Sequence, residues 1–319
     1  MLLSTEDLLK TSRMHPEIKE LAGDAEPTLI EEERQIRMRD GYLSTIKIHR
    51  PAFIPAAGSP LVVLYFGGGW VSGSRHQLTP TARAFVRLFG AVVTTVDYRL
   101  APESPFPTAQ EDCWDSTKWI AMHARELHAD PSKGFVVGGI SAGGCSALVV
   151  ANLAQTERLG PKITGMWISA APIMEQEHVP EEFQAHFISR EHNRRAPIIT
   201  TEGLEAMQQK GIWDLRSPMR CPILFQDRVP LSSLPPAYFQ VCGLDPLRDD
   251  GLIYEDMLKR AGVDTMLSFY PGCPHAHFAF FPGLAVSIEA VADIAIGVGW
   301  LLGTKIAAAD GLRALALPS

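Results

Sequence analysis

The chain has 319 residues, 46% apolar and 20% charged, so it can bury a sizeable core in one large domain, and its bulk is not intrinsically disordered. Its 29 basic and 36 acidic side chains leave a formal charge of −7, and no Lys/Arg block stands out, which argues against nucleic acid as a partner. The five cysteines (Cys113, Cys145, Cys221, Cys242 and Cys273) are widely spaced and form no CxxC pair, so they read as buried free thiols of a reducing compartment rather than metal ligands.

The first residues carry no basic region and no long apolar run, which argues against a signal peptide and for a cytoplasmic protein. Residues 5–22 read as an amphipathic helix capped by Ser4 or Thr5. Residues 34–39 and 43–49 alternate as two strands around a turn at Asp40-Gly41. Six short apolar runs without alternation follow: Leu61–Phe66, Ala91–Val96, Gly134–Ile140, Gly165–Ala171, Tyr238–Cys242 and Met266–Tyr270. Such strands belong to a parallel sheet covered on both faces. Between them lie helical stretches near 76–89, 108–128, 142–156, 249–261 and 284–302. The alternation predicts an α/β fold, a mostly parallel central sheet of about eight strands with helices on both faces. The segment 284–302 carries Glu289 and Asp293 and reads as a closing core helix, not a membrane span.

One stretch breaks the rhythm. About 65 residues separate the strand near 165–171 from that near 238, more than a compact domain leaves unstructured. Helices near 181–192 and 202–212 and a Pro-rich stretch from Ser217 to Pro236 suggest an insertion folded over the sheet. The expected organisation is a single domain, 1–319, with a helical cap formed by about 1–30 and 173–232.

The strongest chemical signal is Gly139-Ile140-Ser141-Ala142-Gly143-Gly144, between an apolar strand and an apolar helix. A nucleophile elbow needs this setting: a strained serine with small neighbours where strand meets helix, and helix amides aimed at the reacting oxygen. A phosphate loop is the rival, but the GxGxxG and Walker spacings are both absent. Phe66-Gly67-Gly68-Gly69-Trp70 directly follows the strand at 61–65. The amides of Gly67, Gly68 and Ala142 would make an oxyanion hole, each donor worth about 3 kcal/mol in the transition state. An acid and a base should follow the serine in chain order. Asp245, just past a strand, can orient an imidazole, and His275, just past the next, can move the proton. His277 rivals His275. Asp249 and Asp250 rival Asp245 but read better as caps of the helix that follows.

These motifs resemble the hormone-sensitive-lipase branch of the α/β-hydrolases, which includes bacterial esterases and plant and fungal carboxylesterases. The resemblance runs from about residue 60 to 302. It also takes in Asp97-Tyr98-Arg99-Leu100-Ala101-Pro102-Glu103, Pro105-Phe106-Pro107, Glu111-Asp112, Asp245-Pro246-Leu247-Arg248-Asp249 and Pro274-His275. It implies the α/β-hydrolase fold and ester hydrolysis through an acyl-enzyme, with no metal or cofactor. Ser141, Asp245 and His275 would form the triad, Gly67, Gly68 and Ala142 the oxyanion hole, and a helical cap would shape the acyl pocket.

Three positions depart from the family pattern. Phe66 stands where the oxyanion loop usually begins with His, Ile140 where Asp or Thr commonly precedes the nucleophile, and Ala276-His277 where Gly-Phe usually follows the base. Phe66, Trp70, Ile140, Trp213 and His277 are the candidate substrate-contacting residues, although His277 could instead face solvent. With the long cap, these variants look more like fungal natural-product esterases. The expected substrate is a small to medium apolar ester, with a secondary-metabolite ester as one candidate, and family members often form homodimers. Relatives use the same apparatus for lactone, lyase or cyclisation chemistry. A non-catalytic ligand receptor is a further alternative, but the plant gibberellin receptors have replaced the catalytic His, and His275 is retained here.

Overall fold

A computed structural model describes residues 27–315. Its strands are β1 Leu29–Arg37, β2 Leu43–Pro51, β3 Leu61–Tyr65, β4 Val92–Val96, β5 Phe135–Ile140, β6 Gly165–Ser169, β7 Ala237–Leu244 and β8 Thr265–Pro274. They form one sheet in the order β1-β2-β4-β3-β5-β6-β7-β8. The pairs β1–β2 and β2–β4 are antiparallel and the other five are parallel. This is the α/β-hydrolase arrangement.

Every residue of β3, β4 and β6 is buried, as strands covered on both faces require. Side chains alternate between two cores. Leu61, Val63 and Tyr65 of β3 join the core under helices α2 (Thr108–Met122), α3 (Ala142–Thr156) and α6 (Arg248–Arg260). Val62 and Leu64 join the opposite core, under α1 (Thr79–Phe89) and α8 (Ala285–Leu301). The remaining helices are α4 (Ser189–His192), α5 (Thr201–Gly211), α7 (His277–Phe280) and α9 (Ala308–Leu315).

Several boundaries differ from those read in the sequence, and three of the differences have a visible cause. β1 begins five residues early, because the acidic run Glu31-Glu32-Glu33 lies on an edge strand and hides its pattern. Glu31 there meets Lys47 Nζ at 2.8 Å, His49 Nδ1 at 3.0 Å and Arg83 Nε at 2.6 Å. α2 stops at Met122 rather than 128, and His123 turns its ring nitrogen Nδ1 to the Trp119 carbonyl at 2.7 Å. The helix expected at 181–192 is instead a 3₁₀ segment, Glu181–His186, followed by the single turn of α4.

The expected helix at 5–22, and with it all but the last few residues of the 1–30 part of the cap, lies outside the described residues. The insertion between β6 and β7 packs on the sheet: Phe183, Phe187, Ile223, Phe225 and Val229 belong to the same core as α3. No helix among the described residues is long and apolar enough to cross a membrane.

Candidate active site

Ser141 sits between β5 and α3 with φ 57° and ψ −123°, a strained conformation for a residue other than glycine. Its amide donates to the Ser169 carbonyl of the adjacent strand at 2.7 Å. The flanking glycines are required by contact. A Cβ on Gly139 would lie 2.3 Å from the Tyr65 carbonyl oxygen, and one on Gly143 would lie 2.0 Å from the same atom. The elbow is therefore packed directly against the end of β3.

The chain brings two further side chains to this serine. His275 Nε2 lies 3.0 Å from Ser141 Oγ, and His275 Nδ1 lies 2.7 Å from Asp245 Oδ2. The other Asp245 oxygen accepts the Leu247 amide at 2.8 Å. Asp245 is fully buried and His275 nearly so. A carboxylate accepts only, so Nδ1 carries the ring proton and the Nε2 lone pair faces the serine hydroxyl.

The glycine loop after β3 lies across from the elbow: a Cβ on Gly67 would stand 3.4 Å from that of Ser141. One expectation needs correction. The Gly67 amide points at the Gln77 side-chain oxygen, 2.9 Å away, so it is not free to face a substrate. The amides of Gly68 and Gly69 meet no acceptor among the described residues, nor does that of Ala142 in the first turn of α3, where helix amides lack partners within the helix. Gly68 has φ 121° and lies against the Ser72 backbone, so its conformation and its contacts both demand glycine.

Phe66, a candidate substrate contact, is buried and serves the loop instead. Its ring stacks on Tyr98 with centroids 3.9 Å apart and planes 9° apart, and the Tyr98 hydroxyl donates to its carbonyl at 2.7 Å. An aromatic stack thus holds the loop where the family pattern has an imidazole. His277 is also corrected: it is buried with Nδ1 3.5 Å from Cys242 Sγ and its ring edge-on to Tyr270 and Phe278. Burial holds its pKa below the ordinary imidazole value. Ile140 is partly buried and packs toward the α1/α8 core. Trp70 and Trp213 meet edge to face at 5.2 Å, and the Trp70 indole N–H donates to Ser146 Oγ at 3.1 Å.

The insertion reaches both halves of the site. A Cβ built on Gly69 would lie 2.4 Å from Met207 Sδ of α5, so α5 rests on the glycine loop. At the acid, Asn193 Nδ2 donates to the carbonyls of Asp245 at 2.8 Å and Gly243 at 3.1 Å. Asp249 and Asp250, read from the sequence as caps of α6, turn toward the insertion instead. Asp249 Oδ2 accepts the amides of Ile188 at 2.7 Å and Ser189 at 2.6 Å, which ends the preceding 3₁₀ segment and starts α4. Asp250 accepts the amides of Ile173 at 2.8 Å and Met174 at 3.2 Å, and pairs with Arg190 at 2.8 Å. Complete burial pushes the Asp250 carboxyl up, and the Arg190 guanidinium opposes that shift. Gln77, Asn193, Arg190 and Met207 all escape motif reading, because each acts through a tertiary contact that no local pattern announces.

The family model for the alpha/beta hydrolase fold matches residues 62–279. The chain belongs to the α/β-hydrolase family. Within it this hydrolase falls in the hormone-sensitive-lipase branch and is an enzyme of the carboxylesterase type. It is 36% identical to an AB hydrolase superfamily protein of Schizosaccharomyces pombe over 84% of this chain and 78% of the relative. It is 34% identical to the versiconal hemiacetal acetate esterase of Dothistroma septosporum over 76% of this chain and 74% of the relative. Among solved structures, the hydrolase superposes on vibralactone cyclase with a TM-score of 0.85 and 30% identity, covering 92% of this chain and 89% of that one.

Proposed function

We propose that this hydrolase cleaves small to medium carboxylic esters through an acyl-enzyme on Ser141. Attack of Ser141 Oγ on the ester carbonyl transfers the hydroxyl proton to His275 Nε2. His275 then returns it to the departing alkoxide. Asp245 keeps the imidazole in the required tautomer and stabilises its protonated form. The amides of Gly68, Gly69 and Ala142 bind the oxyanion. Water, activated by His275, releases the acid. Residues 173–232 act as the cap over the acyl pocket, with Trp70 and Trp213 in its wall. The relay from Ser141 Oγ through His275 to Asp245, at 3.0 and 2.7 Å, carries this reading.

The test is labelling by a fluorophosphonate together with nitrophenyl acetate turnover. Wild type should be labelled at Ser141 and should hydrolyse the ester. Ser141→Ala should lose both while melting at an unchanged temperature. Unchanged turnover in Ser141→Ala would overturn the assignment.

The likeness to vibralactone cyclase supports a second reading, in which a hydroxyl of the substrate itself, rather than water, resolves the acyl-enzyme and yields a lactone. Robust Ser141 labelling with negligible turnover of simple esters would favour it.

A further inference from the structure

Arg220 lies in the insertion, nine-tenths or more buried, beside the first turns of α3. Its carbonyl oxygen is 3.7 Å from the Sγ of Cys145, one helical turn past Ser141. Its guanidinium lies over two indoles at once, 4.7 Å from the Trp213 ring centroid and 5.5 Å from that of Trp70. Trp70 directly follows the glycine loop, so this cation brings the insertion against the end of the loop.

Only one of its three guanidinium nitrogens has an acceptor among the described residues. Nη2 donates to Glu175 Oε1 at 2.8 Å, while Nε and Nη1 are buried with no partner among the described residues. A guanidinium is a planar fork of donors that cannot be deprotonated, and buried donors without acceptors are rare in folded proteins. Stacking on indole faces stabilises its charge but leaves the N–H groups at its edge without partners.

We propose that Arg220, walled by Trp70 and Trp213, is a subsite for a planar oxygen acceptor on the acyl group of the substrate: a carboxylate or a ketone carbonyl set a few atoms from the scissile ester. This inference rests on the ester-hydrolase reading and narrows its substrate class. Nε and Nη1 receive the acceptor, and the indoles hold the carbon chain that carries it. A purely aliphatic acyl chain of the same length would leave both donors unpaired and is disfavoured.

The experiment compares kcat/KM for three nitrophenyl esters of similar length: the pentanoate, the 4-oxopentanoate and the monoester of succinic acid. The wild type should prefer at least one oxygen-bearing acyl group over pentanoate by about tenfold or more, the scale of one charge-assisted hydrogen bond. The oxopentanoate and succinate arms distinguish a neutral carbonyl from a carboxylate. Arg220→Met, of similar length but apolar, should abolish or invert the preference, and Arg220→Lys should retain part of it. If Arg220→Met does not fold, the wild-type ratios and Arg220→Lys decide. Equal or better turnover of pentanoate by the wild type, or an unchanged preference in a folded Arg220→Met, would overturn the subsite and leave Ser141 chemistry intact. Failure of wild type both to label and to turn over nitrophenyl acetate would instead remove the ester-hydrolase reading, and the subsite with it.

Discussion

The side-chain amide of Asn193 holds the backbone of Asp245, the residue whose carboxylate meets His275. Nδ2 lies 2.8 Å from the Asp245 carbonyl oxygen, while the Asp245 carboxylate lies 2.7 Å from His275 Nδ1. A residue of the insertion therefore fixes the position of the proposed acid. Asn193→Ala should lower kcat about 10- to 100-fold, the scale of a small misalignment of a catalytic group, with KM little changed. Steady-state kinetics on a variant verified by its melting curve checks this. A change confined to KM would instead place Asn193 in the substrate pocket.

The glycine loop gives a second prediction, from the unequal demands of adjacent positions. An alanine Cβ at Gly68 would stand 2.3 Å from the Ser72 carbonyl oxygen, a backbone atom that cannot step aside. At Gly69 the obstacle is Met207 Sδ at 2.4 Å, the mobile end of a flexible side chain. Gly68→Ala should reduce kcat/KM about 100- to 1000-fold by displacing a proposed oxyanion donor. Gly69→Ala should lose less, and adding Met207→Ala should restore part of that loss. Kinetics on the four proteins tests the order.

Phe66 provides a stability prediction. Replacing a fully buried ring by Ala costs about 3–5 kcal/mol, and here it also removes the stack on Tyr98. Phe66→Ala should show that loss in chemical denaturation, with reduced turnover as the loop loosens. Phe66→His keeps a planar ring for Tyr98 and should be milder on both counts.

Glu31 yields a pH prediction. Half-burial raises the proton affinity of its carboxyl, but the hydrogen bonds from His49, Arg83 and Lys47 together outweigh that and hold it well below the usual glutamate range. The folded state thus binds this proton more weakly than the unfolded chain. The stabilisation is present above about pH 4.5 and is lost as pH falls further. Glu31→Gln should be less stable at pH 7 by about 2 kcal/mol. Its stability should also decline less than that of wild type between pH 5 and 3, as urea denaturation at several pH values would show.

The parts of this fold that were readable from sequence are those built from local contrast. β3, β4 and β6 are continuous apolar runs because both faces are covered. Ser141, Asp245 and His275 follow in order at the ends of β5, β7 and β8, a spacing that topology enforces. What escaped depends on contacts across the chain. Gly67 looked like a donor because nothing local announces that Gln77, ten residues on, takes its N–H. Asp249 and Asp250 looked like helix caps because their partners at 188–189 and 173–174 lie some 60 or more residues upstream, a separation that local patterning does not reveal. His277 looked available to a substrate, yet Cys242, Tyr270 and Phe278 enclose it.

The seam between residues 188–193 and residues 243–250 bears on how such a hydrolase can be re-engineered. Its insertion is not an interchangeable lid. A donor cap lacking counterparts of Asn193 and Arg190 would leave the Asp245 and Asp250 seam unpaired, and Asp249 and Asp250 would face mismatched backbone amides. A chimera that keeps activity must transplant both sides of the seam together. The fit between the insertion and the strand end that carries Asp245 is held in a matched pair of segments that the chain keeps apart.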